Sequence, residues 1–198
     1  MARGKRTKTP GNRPREAREN THSSVTQGVK RLTEDNLYDL VREDREIMLL
    51  VLDGVQDPHN LGACIRSAEG AGVTAVVVPR HKSAPVTETV VRIACGGCAS
   101  VPVVTVGNMS RFLATIREDY GVRVVGTADG ADCDLYECEM TPPLAIVLGA
   151  EGEGMRRLTR EGCDQLIRIP MAGKVECLNV SNAAAVCLFE SVRQRDFS

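Results

Sequence analysis

IMLLVLDGVQDPHNLGACIRSAEGAG, residues 47–72, opens on six consecutive apolar residues and closes in a helical pattern. An unbroken run such as 47–52 suits a strand buried on both faces. From Asn60 onward Leu61, Ile65 and Ala68 recur on one helical face, with Cys64 beside them and Arg66 off it. Between strand and helix sits a polar turn of Asp57, Pro58, His59 and Asn60. In an open α/β sheet this turn falls at the carboxyl end of a strand, where ligands bind.

The alternation continues outward. Apolar runs at 74–78, 101–105, 122–126, 144–149 and 165–169 read as further buried strands. Helical stretches are expected at 60–70, 86–95, 109–119, 154–161 and 180–194, with Asn60 and Ser110 as candidate caps. The pattern predicts an α/β fold, a mostly parallel sheet with helices on both faces. Three loops that directly follow strands are rich in Gly or small polar residues: 53–60, 149–155 and 169–182. They are the expected seat of the chemistry.

Composition narrows the classes. Aromatics make up 3% of the 198 residues and there is no Trp, which argues against an aromatic base-stacking platform. No apolar run approaches the ~20 residues of a membrane span, and the first 20 residues lack the apolar core of a secretory signal. The eight cysteines are scattered through apolar stretches such as those of Cys64, Cys95, Cys98 and Cys187, and read as core residues in a reducing cytoplasm. Cys95 and Cys98 form a lone CxxC without a second pair, so no metal site is expected. Residues 1–31 hold nine Lys/Arg against two Glu, a basic arm that reads as a solubilising tail or, in preference, as a non-specific phosphate contact. The chain is expected to divide into a basic, flexible extension, 1–46, and a catalytic domain, 47–198.

The loops exclude several chemistries. Neither GxGxxG nor GxxxxGK[ST] follows the first strand. Glu151 and Glu153 in GAEGEG would repel a polyphosphate and suit a ligand bearing positive charge. Their spacing is no signature of a paired-carboxylate hydrolase, and Ser181 in NVSNA is not on a nucleophile elbow.

DPHNLGACIRSAEGAGV (57–73), LAIVLGAEGEGMRRLT (144–159) and IPMAGKVECLNVSNAAAVCLFE (169–190) resemble, in order, motifs 1, 2 and 3 of the SpoU/TrmH family of RNA ribose 2′-O-methyltransferases, within the SPOUT superfamily. The likeness covers about 47–195 and is greatest to the branch that methylates a guanosine of 23S rRNA; a tRNA substrate is the rival within the class. The resemblance implies a C-terminal trefoil knot, S-adenosyl-L-methionine as cofactor, an RNA substrate and a homodimer. It implies catalytic roles for Asn60, Arg66, Glu151, Asn179 and Ser181. Arg66 corresponds to an arginine proposed to help deprotonate the ribose hydroxyl. An arginine with a pKa above ~12 is a poor base, so binding of phosphate and stabilisation of the alkoxide suit it better. Asn60 orients Arg66, contacts RNA or caps its helix. Glu151 fixes Arg66 or lines the ribose pocket. Ser181 bonds the ribose or Arg66, or caps the last helix. The implied cofactor contacts are Thr127, Gly149, Ile169, Met171 and Leu178. Two positions depart from the family pattern, Cys177 in place of Ser and Asn182 in place of an apolar residue. A folded N-terminal RNA-binding domain is common in relatives, where this chain has its basic arm. A non-catalytic assembly factor and a metabolic α/β enzyme are the rivals of other classes.

Overall fold

The computed structural model describes Met1 and residues 28–197, so most of the basic arm lies outside the described residues. Seven strands form one sheet: β1 (Met48–Asp53), β2 (Ala75–Pro79), β3 (Val103–Val106), β4 (Arg123–Thr127), β5 (Cys133–Asp134), β6 (Leu144–Gly149) and β7 (Gln165–Arg168). Their order is β3-β2-β1-β6-β4-β7-β5, and every pairing is parallel. The central pair, β1 and β6, runs in register from Met48 opposite Leu144 to Asp53 opposite Gly149. The predicted strands are therefore present, each within two residues of its expected bounds, and β5 is an addition. Two residues are too few to give a periodic signal.

Strand periodicity divides the core. Met48, Leu50 and Leu52 face α2 (Pro58–Gly70), α3 (Glu88–Ile93), α4 (Gly97–Ser100) and α7 (Val180–Phe197). Ile47, Leu49 and Val51 face the other way, toward α1 (Glu34–Glu43) and α5 (Met109–Glu118). Two apolar layers on one sheet explain why the strands read as continuous rather than alternating. A short α6 (Arg157–Glu161) completes the fold.

Helix α1 corrects the expected extension at 1–46. Thr33 caps it by accepting from the Asn36 N–H at 3.2 Å, Glu34 and Asp35 sit in its first turn, and Leu37 and Val41, one turn apart, are buried. Just before it, the Lys30 N–H donates to the Cys98 carbonyl at 2.8 Å and Arg31 bridges Val103. Residues 30–43 are thus part of the packed unit. The charged, polar flanks masked the short amphipathic pattern of α1. Tyr38 of α1 stacks on Tyr120 at 5.8 Å and leans on Phe112 at 5.9 Å, so half of the six aromatic rings serve this remote layer.

Two expected caps also move. Asp57, not Asn60, caps α2, accepting from the His59 N–H at 2.9 Å with Pro58 in the first turn. Asn108, not Ser110, caps α5, accepting from the Arg111 N–H at 3.1 Å. Among the cysteines read as core, Cys95 is exposed while Cys64, Cys98 and Cys187 are buried, and all eight are free thiols.

Candidate active site

Three loops meet at the carboxyl end of the sheet. The loop after β1 leads into α2, which carries Asn60 in its first turn; the loop after β6 carries Glu151; the segment after β7 ends in Asn179, just before α7. Ninety-one and twenty-eight residues separate Glu151 from Asn60 and Asn179, yet its Oε1 accepts from both side-chain amides, from Asn60 at 3.1 Å. The Val180 N–H adds a longer contact at 3.4 Å, and the Asn179 amide also donates to the Asn60 Oδ1 at 3.1 Å. Every bond to the carboxylate falls on Oε1, and Oε2 accepts none among the described residues. Charge-assisted bonds of this kind fix a carboxylate more firmly than neutral ones.

Asn179 also organises Ser181. Its Oδ1 accepts from the Ser181 N–H at 2.9 Å and from the Ser181 hydroxyl at 2.6 Å. Asn179 is therefore the cap of α7, and the Ser181 hydroxyl holds that cap. Four of the five expected catalytic residues form one hydrogen-bonded cluster. Arg66 does not join it. It lies six residues beyond Asn60 on α2, exposed, and pairs with neither Glu151 nor Glu69 among the described residues.

Beside the cluster opens a cavity of about 480 Å³, within the range of small-ligand sites. All five expected cofactor contacts line it: Thr127 from the end of β4, Gly149 from the end of β6, and Ile169, Met171 and Leu178 from the segment after β7. Ile167 and Ala183 extend the apolar wall, and Glu151 and Asn179 stand at the rim. Asp129, Glu153 and Glu176 are further acidic lining residues, against Arg160 and Arg168. Arg168 is engaged by Asp134, at 2.5 Å. The lining is thus apolar with an acidic bias, which fits a ligand that carries a flat heterocycle and, apart from it, a cationic centre. The residues fit S-adenosylmethionine on these grounds.

Gly149 has a second role, in the loop itself. A Cβ there would lie 2.0 Å from the Gly154 carbonyl carbon and 2.1 Å from the Met155 nitrogen. The close approach is the loop folding back on its own strand, as the paired Ala150 and Gly154 backbones confirm at 2.9 and 3.1 Å. Sequence reading also missed Asp53. Its side chain is wholly buried at the end of β1, where Oδ2 accepts from the Arg156 N–H at 2.9 Å and Oδ1 lies 3.3 Å from the Arg156 Nε. This carboxylate anchors the far end of the 149–155 loop. An Asp closing an otherwise apolar strand was the available signal. Beneath the cluster, burial, reinforced by the charge of Glu151, pushes the Cys64 thiol up to about 12.

An all-parallel sheet whose strand-end loops enclose an acid-rimmed, cofactor-sized cavity defines a ligand-binding α/β enzyme fold. Residues 47–189 match the SpoU rRNA Methylase family, and the chain belongs to that family. It is 53% identical over 181 residues to the 23S rRNA (guanosine-2'-O-)-methyltransferase RlmB of Vibrio vulnificus, covering 88% of this chain and 73% of the relative. It is 51% identical over 184 residues to the protein of that name from Escherichia coli K12, covering 89% and 75%. Among solved structures, the SpoU methyltransferase AviRb from Streptomyces viridochromogenes, in complex with AdoMet, superimposes with a TM-score of 0.72 at 32% identity, covering 79% of this chain and 64% of that one. An RNA 2'-O ribose methyltransferase superimposes with a TM-score of 0.70 at 35% identity, covering 77% of this chain and 58% of that one.

Proposed function

We propose that the chain transfers a methyl group from S-adenosylmethionine to the ribose 2′-oxygen of a guanosine in 23S rRNA. The observation that carries this reading is the convergence of Thr127, Gly149, Ile169, Met171 and Leu178 on one cavity with Glu151 and Asn179 at its rim. The family match and the two RlmB relatives supply the substrate class. The cofactor supplies a methyl group on a sulfonium, ready for displacement by an oxygen nucleophile.

The chain's own residues then have definable tasks. Ile169, Met171 and Leu178 exclude water from the adenine side. Glu151 lines the ribose pocket; Asn60 and Asn179 hold its Oε1, and Oε2 accepts a hydrogen bond from the attacking hydroxyl. Arg66, exposed and unpaired among the described residues, binds the phosphate next to the target ribose and offsets negative charge as the hydroxyl loses its proton. A neutral arginine base is unnecessary in this scheme. Ser181 acts through Asn179 by fixing the cap. We further read the chain as a knotted homodimer; the family membership, the lining of one cavity by residues of both 149–155 and 169–179, and the exposed Phe189 and Phe197 of α7 support this.

Incubation with methyl-labelled cofactor and total bacterial RNA, followed by mapping of the label, tests the reading. Label in 2′-O-methylguanosine of 23S rRNA is expected. Label confined to tRNA would replace the substrate, and cofactor binding without transfer would favour a non-catalytic assembly factor. Arg66→Ala should lose transfer while retaining the wild-type melting temperature and oligomeric state; surviving activity would remove Arg66 from the mechanism.

A further inference from the structure

A second cleft, of about 350 Å³, lies at the same end of the sheet but over its other half. Pro79 at the end of β2, Gly107 after β3 and residues 156–159 bound it. Arg80, His81, Arg156 and Arg157 line it, and no Asp or Glu does. The cofactor cavity, on the opposite side of β1, has four carboxylates in its lining. The carboxyl edge is therefore divided electrically, acidic beside β6, β4 and β7, basic beside β2 and β3.

The basic half is built rather than incidental. Arg156 is held from behind by the wholly buried Asp53, at 3.3 Å, and donates to the His81 carbonyl at 3.4 Å. Asp53 positions Arg156 but offsets its charge, and its Oδ1 accepts no hydrogen bond, so the charge offered to an external anion comes from Arg80 and Arg157. Arg157 pairs with Glu161 on α6 at 2.7 Å, and its side chain stays 75% exposed. Arg80 is exposed and without an ion pair among the described residues. Asn108 and Ser110 add polar groups at the start of α5. The cleft offers no aromatic wall on which a base could stack, so it suits backbone rather than base contact.

We propose that this cleft binds backbone phosphates of the RNA substrate, a few nucleotides along the strand from the ribose presented at Glu151. The proposal rests on the function argued above. Three strand spacings separate β6 from β3, roughly 14 Å, a span a short single-stranded segment crosses. Arg66 serves the phosphate at the target and the cleft serves its neighbours.

The test measures binding of a 23S rRNA fragment to full-length protein as a function of salt. R80A/R157A is compared with R45A/R195A, which removes the same charge from the other end of the sheet: Arg45 precedes β1, and Arg195 feels the charge of Glu46. All four arginines are exposed, so both variants should fold, and melting curves check this. R80A/R157A should bind about tenfold more weakly and lower the steepness of log K against log salt by about 1.4–1.8, two phosphates' worth. Its affinity for S-adenosylmethionine should be unchanged. If the wild type methylates the fragment and R80A/R157A keeps the affinity and slope of R45A/R195A, the cleft proposal falls alone. A wild type that neither binds nor methylates the fragment contradicts the proposed function and the cleft together.

Discussion

Glu151 shows how a site can be written into side chains too distant in sequence for any local pattern to join. Its Oε1 accepts from Asn60 and Asn179, and Oε2 accepts no hydrogen bond among the described residues. Glu151→Gln keeps the size but replaces the charge, and should lower kcat about a hundredfold in single-turnover transfer while leaving cofactor affinity within a few-fold. An unchanged kcat would reduce Glu151 to a structural rim residue. Cysteine offers an independent check on the pocket. Cys177 lines the cavity and is exposed, whereas Cys95 is exposed elsewhere, and burial pushes Cys64, Cys163 and Cys187 up to about 12. Alkylation at pH 8 should modify Cys95 and Cys177 first, since thiolates react and buried thiols stay protonated. S-adenosylhomocysteine should then slow modification of Cys177 but not of Cys95, read by peptide mass spectrometry. Equal slowing at both, or at neither, would place the ligand elsewhere.

At the scale of elements, the 149–155 loop closes on its own strand because residue 149 has no side chain. Gly149→Ala should displace that closure, destabilise the fold by about 1–3 kcal/mol in urea unfolding and weaken cofactor binding. Stability at the wild-type value would mean that the loop adjusts freely. Gly62 makes the same argument in α2: an added Cβ would lie 2.8 Å from the Ile93 Cβ and 2.9 Å from the Val90 carbonyl of α3. Gly62→Ala should therefore destabilise, although alanine is the better helix former by about 1 kcal/mol. These contacts mark the limit of what was legible beforehand. The six longer strands and α2, α5 and α7 were readable because both faces of the sheet are covered and the apolar runs are unbroken. The pocket residues Thr127, Gly149, Ile169, Met171 and Leu178 followed from motif likeness, since an apolar wall and an ordinary core look alike in sequence. Asp53, the capping role of Asp57, and the self-closure at Gly149 depend on which backbone comes near which, information no local pattern holds. Helix α1 was hidden by its shortness and its many charged residues.

At the scale of the molecule, charge is sorted by position. Residues 1–31 carry nine Lys/Arg against two Glu, and the rest of the chain carries the acidic excess that brings the total to −1. Removal of residues 2–27 should weaken RNA binding and flatten its salt dependence, with the fold and cofactor affinity preserved. An unchanged slope in a salt titration would leave the arm with no part in RNA binding. The acidic pocket and basic cleft then divide the remaining work, one toward a sulfonium and the other toward phosphates. All of it depends on three loops, separated by up to 119 residues between Asn60 and Asn179, forming one receptacle. A crystal structure with S-adenosylhomocysteine tests that most directly. The account predicts the ligand between Gly149 and Leu178, its sulfur on the side of Glu151 and Asn179; density at any other surface, or an empty cavity at saturating ligand, would contradict it.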